Sequence, residues 1–520
     1  MRDIDIKSMS KTFLSQGCLR RLAVGLVAVA SSVSQYWLGN PVLAQTSAYC
    51  QLSEAAIASK ENLLETALRG DPDAQTQYRD LLKKHAEFLR RCRSRTWPYN
   101  QAIWLRLYPC DIRPGSIDRI LDRIVNRGYN KVYLEVFFDG QVLFPPADNP
   151  TPWGSVVRTP GAEKADLLAE TIQKGHERGL KVYAWLFSMN FGYSYAQIPD
   201  RQGVLARNGQ GQDSLSFVDD RSQAFIDPYH QQAYTDYNNL LEAVLKRHPD
   251  GVLFDYIRYP RGTGNQSTVG NVKDLWIYGQ ASQQALYQRA QNNKGRELIE
   301  RFVTKGYITV NDVLEADKLY PQEGAPLWQG RNPSPMESKA PARDRHQILS
   351  LDLWYLSVAH AAQGVVDFLS LASFPVLRQG IPAGAVFFPD GNQAVGNRGF
   401  DSRLQPWDKF PASLEWHPMS YRVCGTSDCI VEQVKRVVSM APRQTEVIPV
   451  LAGLWGKRYD NRPPLEEQME AIRRSVPQVR SISHFAFSWQ EIEFTRDRQF
   501  CNLSGLGSQQ SSSSLVQQRK

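Results

Sequence analysis

The chain has 520 residues, 42% of them hydrophobic and 11% aromatic, with 61 Lys and Arg against 53 Asp and Glu. That composition is globular, too long for one ordinary core but suited to a large α/β barrel with additions. A net charge of +8 is mild at this length, and no basic run is interleaved with aromatics, so nucleic acid is excluded as an expected partner.

Residues 1–44 read as an export signal. Lys11, Arg20 and Arg21 precede the apolar run LAVGLVAVASSV, and Val42 and Ala44 stand at the −3 and −1 positions of a cleavage point. The run is short for a membrane span. Contact with a membrane is expected only if this signal is retained. Seven cysteines less Cys18 of the signal leave six, an even number in an exported chain, which favours disulfides over metal or redox chemistry. No metal spacing stands out and no cofactor is implied. The expected location is periplasmic or extracellular.

Residues 45–97 read as a helical hairpin. SEAAIASKENLLETAL and QTQYRDLLKKHAEFLRRC have helical spacing, and RGDPDA between them is a turn. Cys50 opens the first helix and Cys92 closes the second, so an antiparallel hairpin brings them together.

From residue 98 to 500 short apolar runs alternate with amphipathic helices. The runs are AIWLRLY (102–108), KVYLEVFF (131–138), LKVYAWLFSM (180–189), GVLFDYI (251–257), AVFFP (385–389), SLEWHPMSY (413–421), EVIPVLAGLW (446–455) and ISHFAFSW (482–489). Eight strands alternating with helices predict a parallel (β/α)8 TIM barrel, α/β in class. Its largest insertion, residues 261–384, falls between strands four and five and includes the helical run LDLWYLSVAHAAQGVVDFLSLA. The first and eighth strands of a closed barrel are neighbours, which pairs Cys110 with Cys501. Cys424 and Cys429, in CGTSDC, staple one loop. The tail, residues 501–520, is polar, low in complexity and read as disordered.

Barrel sites form at the carboxyl ends of the strands. Those ends deliver Glu135 and Asp139; Trp185 and Asn190; Asp255, Tyr256, Arg258 and Tyr259; Asp390; Glu415, His417, Met419 and Tyr421; Trp455; and Trp489, Glu491 and Glu493. Carboxylates among aromatic rings suit a sugar, whose apolar faces stack on rings while carboxylates work at the anomeric carbon. Alternation along strand four puts Leu253 and Asp255 on one side and Val252 and Phe254 on the other. The apolar pair belongs against the helices, so Asp255 points into the barrel. The same alternation groups Glu415, His417, Met419 and Tyr421, with Glu415 deepest.

The stretch DGVLFDYIRYP, together with GLKVYAWLF, WHPMSY and FAFSW, resembles the glycosyl-hydrolase-like family 10 of exported barrel proteins, over roughly residues 98–495. The resemblance implies a barrel and a carbohydrate-directed role; some members act on bacterial cell-wall glycan strands. It also implies that Asp255 is catalytic and that Arg258, Tyr259 and Tyr421 line the site. A chitinase strand-four motif, DGxDxDxE, is only distantly similar: Leu253 stands where that motif has an acid, and Tyr256 and Ile257 follow Asp255 with no Glu.

The expected function is therefore glycoside hydrolysis of a polysaccharide or wall glycan. Asp255 serves as nucleophile or base, and Glu135 or Glu415, ahead of Asp390, donates the proton. Trp185, Asn190, Tyr256, Trp455 and Trp489 are expected to line the substrate path. Asp390 in FFPDGN reads better as a turn, and His417 as a packed core or rim residue. The alternatives are a non-catalytic glycan-binding barrel and a wall-associated scaffold that docks through the hairpin. An exposed apolar stripe on residues 50–95 would favour the scaffold.

Overall fold

The computed structural model describes residues 49–501. The export signal and nearly all of the polar tail lie outside these described residues.

Two helices lead the fold, α1 (Glu54–Leu68) and α2 (Pro72–Arg93). Ser53 and Asp71 cap them by accepting from the Ala56 and Ala74 amides, and Pro72 occupies the first turn of α2, where its missing N–H costs nothing. The hairpin docks on α3 (Ser116–Asn126) and α4 (Leu167–Glu177) through a buried polar knot. Arg178 donates to Asp122 and Asp118, the Tyr78 hydroxyl donates to Asp122 at 2.8 Å, and Lys60 lies 3.6 Å from the same carboxylate. Among the described residues of the hairpin helices, Leu68 is the one large apolar side chain left exposed. The stripe that a docking arm needs is not there.

Eight parallel strands follow: β1 (Asn100–Leu105), β2 (Lys131–Phe138), β3 (Lys181–Phe187), β4 (Gly251–Asp255), β5 (Ala383–Phe387), β6 (Glu415–Pro418), β7 (Val450–Ala452) and β8 (Ser481–Phe485). They pair in chain order, and β1 pairs with β8 from Asn100–Ser481 to Ile103–His484. Between β6 and β7 the ladder thins to two bridges, Trp416–Val447 and Met419–Val450. The barrel is thus nearly closed. The thin seam has a chemical reason: Pro418, whose backbone edge faces β7, lacks the N–H a full ladder requires.

Six of the eight strands are shorter than their apolar runs. The end of ISHFAFSW turns helical over Phe487–Gln490, because a run of aromatics does not distinguish a strand from the first helical turn after it. The segment between β4 and β5 carries short helices and then α6 (Ala342–Arg378), 37 residues long. That helix packs on β4, β5 and α5 (Gln231–Leu245). It fills the place of the barrel helix that joins these two strands, so the last third of the segment is part of the barrel's outer ring. Disulfides join Cys50–Cys92, Cys110–Cys501 and Cys424–Cys429, the pairs that the hairpin, the β1–β8 closure and the short loop imply. Among the described residues no helix is long and apolar enough to cross a membrane.

Candidate active site

Asp255 is the last residue of β4 and is 7% exposed. Its carboxylate points into the barrel, where Trp185 Nε1 donates to Oδ2 at 3.0 Å. The Tyr256 amide donates to Oδ1 at 2.6 Å. Phe254 points the other way, its ring 6.5 Å from that of Tyr237 on α5. Alternation therefore holds up to Asp255 and then stops. Tyr256 has φ 51°, a left-handed conformation that a bulky side chain rarely adopts. The turn keeps its ring at the barrel mouth, 4.1 Å from Phe187 and under the Arg258 guanidinium at 4.7 Å.

Burial pushes the Asp255 carboxyl up to about 6; the Tyr256 amide, the Arg258 charge and the Trp185 indole oppose it. Glu135, on β2 in register with Trp185, is fully buried. Arg106 forks onto it, with Nε on Oε2 and Nη2 on Oε1, the latter at 3.0 Å. Burial raises the Glu135 carboxyl; Arg106 opposes, and the charges of Asp139 and Asp255 add to the rise. Asp139 stands half-buried just past β2, also left-handed at φ 46°. Its charge is felt by Arg106, Glu135 and Tyr256 alike, so these groups share one rim.

Rings complete the mouth. Trp185 packs edge-on against Trp104 at 4.7 Å, and Phe485 lies 6.3 Å from Trp185 and 6.0 Å from both Tyr421 and Trp489. Burial and the nearby Asp255 charge push the Tyr421 hydroxyl well above its usual range.

The structure thus brings Asp255, Glu135, Trp185, Tyr256, Arg258, Tyr421 and Trp489 together. Other candidates lie elsewhere. Glu415 is the first residue of β6, at the amino end of the barrel, and accepts from the Tyr183 hydroxyl at 3.3 Å. Tyr183 is in register with Gly251, and Phe187 with Asp255, so roughly 13 Å of strand separates the two levels at about 3.3 Å per residue. Burial raises the Glu415 carboxyl, but His417, 3.2 Å away, and Lys131 hold it below its usual value. Its inward direction follows from alternation; its height on the strand does not. His417, two residues further along β6, is buried against Tyr133. Tyr259 is buried, its hydroxyl on the Ala361 carbonyl of α6. Asn190 clamps its loop by accepting from Gly192 and Ala224. Asp390 sits in a turn, paired with Arg403 at 3.1 Å. Trp455 donates to the Tyr129 hydroxyl and packs on Tyr49 and His484, away from the Asp255 cluster.

Arg106 was not foreseen. The signal was present: Ala102, Trp104 and Arg106 share one side of the first run, so a charge was due at its inner carboxyl end. Two cavities of about 580 and 480 Å³ lie between α5 and α6 on the outer ring; neither reaches Asp255.

A nearly closed (β/α)8 barrel with paired carboxylates and aromatic rings at its carboxyl-end rim defines a glycoside-hydrolase-like protein. Residues 113–334, which contain DGVLFDYIRYP, match the family described as glycosyl hydrolase-like 10. No curated protein matches the chain. Three solved structures illustrate its distant likenesses. A hypothetical protein from Ruminiclostridium thermocellum ATCC 27405 is 15% identical over 43% of this chain and 93% of its own, with a TM-score of 0.24. An inactive mutant of the GH20 exo-β-N-acetylglucosaminidase from Vibrio harveyi is 10% identical over 76% of this chain, TM-score 0.36; the chain spans about half, 51%, of that enzyme. A GH18 chitinase from Pseudoalteromonas aurantia is 11% identical over 75% of this chain and 94% of its own, TM-score 0.36.

Proposed function

We propose that the protein is an exported glycoside hydrolase acting on a polysaccharide or cell-wall glycan, with Asp255 as its reacting carboxylate. The observation that carries the reading is the placement of Asp255: inward, at the carboxyl end of β4, among rings and beside a second acidic strand end. Ionised, it attacks the anomeric carbon or takes a proton from water. The proton for the leaving oxygen comes from the rim of β2. Glu135 gives both oxygens to Arg106 and so sets local charge. Asp139, the more exposed of the two, is better placed to donate. Trp185, Tyr256, Tyr421 and Trp489 offer ring faces to the sugar. Export to the periplasm or beyond is supported by the charged and apolar leader and by six described cysteines all held in disulfides.

A glycan-binding protein without turnover is the second reading. It is favoured by the Arg106–Glu135 pair, which engages both oxygens of a buried carboxylate that feels the Asp255 charge. Release of reducing ends from a polysaccharide panel separates the two. We expect cleavage by the natural protein and none by Asp255→Asn, with glycan binding kept; Asp139→Asn and Glu135→Gln then identify the donor. Binding without cleavage across the panel supports the second reading, and a fully active Asp255→Asn removes Asp255 from the mechanism.

A further inference from the structure

Arg258 is 8% exposed, and charged side chains are seldom so buried without a counter-ion. Among the described residues it makes no ion pair. Its one hydrogen bond runs from Nη1 to the Tyr259 carbonyl at 2.9 Å. The neighbouring Arg403 is satisfied by Asp401 and Asp390. Asp255, a carboxylate whose charge acts on Arg258, has its oxygens engaged by Trp185 and the Tyr256 amide instead. An arginine placed only to hold Asp255 would pair with it.

The guanidinium is held by rings. Tyr256, Phe225 and Phe388 lie 4.7, 5.4 and 5.9 Å from it. Those faces fix the plane of the fork and stabilise its charge, yet none accepts its in-plane N–H groups. The Nε and Nη2 groups of Arg258 have no acceptor among the described residues. A rigid, planar donor fork beside a reacting carboxylate matches one partner best, a second carboxylate bound side-on.

Building on the glycan reading above, we propose that Arg258 receives a carboxylate of the substrate, so that the site takes acidic rather than neutral glycans. Burial and the nearby Arg403 and Arg261 charges lower the Arg258 pKa to about 10, which leaves it charged at neutral pH. The bound acid group lies on the β4–β5 side of Asp255, across from Glu135 and Asp139 on β2. Arg258 is thus a specificity residue, and the acidic sugar a neighbour of the bond under attack.

The test uses calorimetric titration of the full chain, natural and Asp255→Asn, so that binding is read apart from turnover. The probes are a hexuronic acid oligosaccharide, an oligosaccharide carrying lactyl-ether carboxylates, and each of these with its carboxyl reduced to the alcohol. We expect at least one acidic probe to bind about tenfold or more tightly than its reduced form, the scale of a charge-assisted contact, and the two sources of carboxylate to be ranked by the same data. Arg258→Met, which keeps the stem against the rings, should erase the preference, and Arg258→Lys should keep part of it; thermal melts confirm that both fold. Equal binding of acid and alcohol, no binding of either acidic probe, or a preference that survives in Arg258→Met overturns the proposal. Each of these can occur with Asp255-dependent cleavage intact, so failure here is distinct from failure of the hydrolase reading.

Discussion

Asp255, the proposed reacting carboxylate, weakens its own fold. Its pKa moves from 3.8 to about 6 on folding because burial disfavours the charge. The unfolded chain releases this proton first as pH rises. The stabilising contribution of the protonated form is therefore complete below about 3.8 and lost as pH rises through about 6. Asp255→Asn should be more stable than the natural protein at neutral pH by up to about 3 kcal/mol, at about 1.4 kcal/mol per pH unit, with the gain gone near pH 3. Melting both proteins across this range checks it; an unchanged or lower melting point for Asp255→Asn at pH 7 refutes it. The same ionisation should set the acid limb of kcat/KM near pH 6 on any substrate found, and a flat profile from pH 4 to 8 would show that Asp255 does not react as the ion. Asp255 was legible in the sequence because alternation fixes which side of a strand faces inward. Glu415 misled for the complementary reason: alternation carries no information about height along a strand. Nor did any Gly or Asn mark the left-handed turn at Tyr256, which follows a β-rich pattern and is imposed by its surroundings.

At the scale of elements, the spacing of both hairpin helices was legible, but the start of α2 was not: RGDPDA reads as a turn, yet Asp71 caps the helix and Pro72, Asp73 and Ala74 form its first turn. The far end of α6 was hidden. Its apolar run stops at Ala372, but the helix continues through Pro375 to Arg378, because packing on β4, β5 and α5 outweighs one lost backbone bond. The docking of the hairpin was also invisible, since it rests on Asp122 meeting Arg178, Lys60 and Tyr78 from three separate elements. Asp122→Ala leaves two cations buried beside a lost anion and should destabilise the fold by about 3 to 5 kcal/mol. Tyr78→Phe removes one neutral donor and should cost about 1 kcal/mol. Urea denaturation ranks them, and equal losses would mean the knot is hydrated rather than dry.

At the scale of the molecule, barrel order and closure were legible because eight strand–helix units leave few topologies. The thin seam between β6 and β7 is written in Pro418, although the run around it looks uninterrupted. Closure is reinforced covalently on the β1–β8 side, where Cys110 and Cys501 are 391 residues apart in sequence, against 5 for Cys424–Cys429. Loop entropy predicts a loss of about 6 kcal/mol on replacing the first pair by serines and about 2 kcal/mol for the second. Guanidinium titration of the two double variants tests the order, and a larger loss for the short loop would reverse it.

The Cys110–Cys501 bridge also imposes a timetable on assembly. A chain that emerges amino end first can oxidise Cys50 with Cys92 early, since only 42 residues separate them. Cys110 then waits through almost the whole of synthesis for its mate. During that wait β1 and β4 are open sheet edges, because β8 and β5 arrive later, and open edges invite pairing with other chains. Cys424 and Cys429 appear before Cys501 and are five residues apart, so they can capture each other before either captures Cys110. The short loop thus acts as a local sink for thiols, keeping the first strand's cysteine available until the last strand has docked beside it.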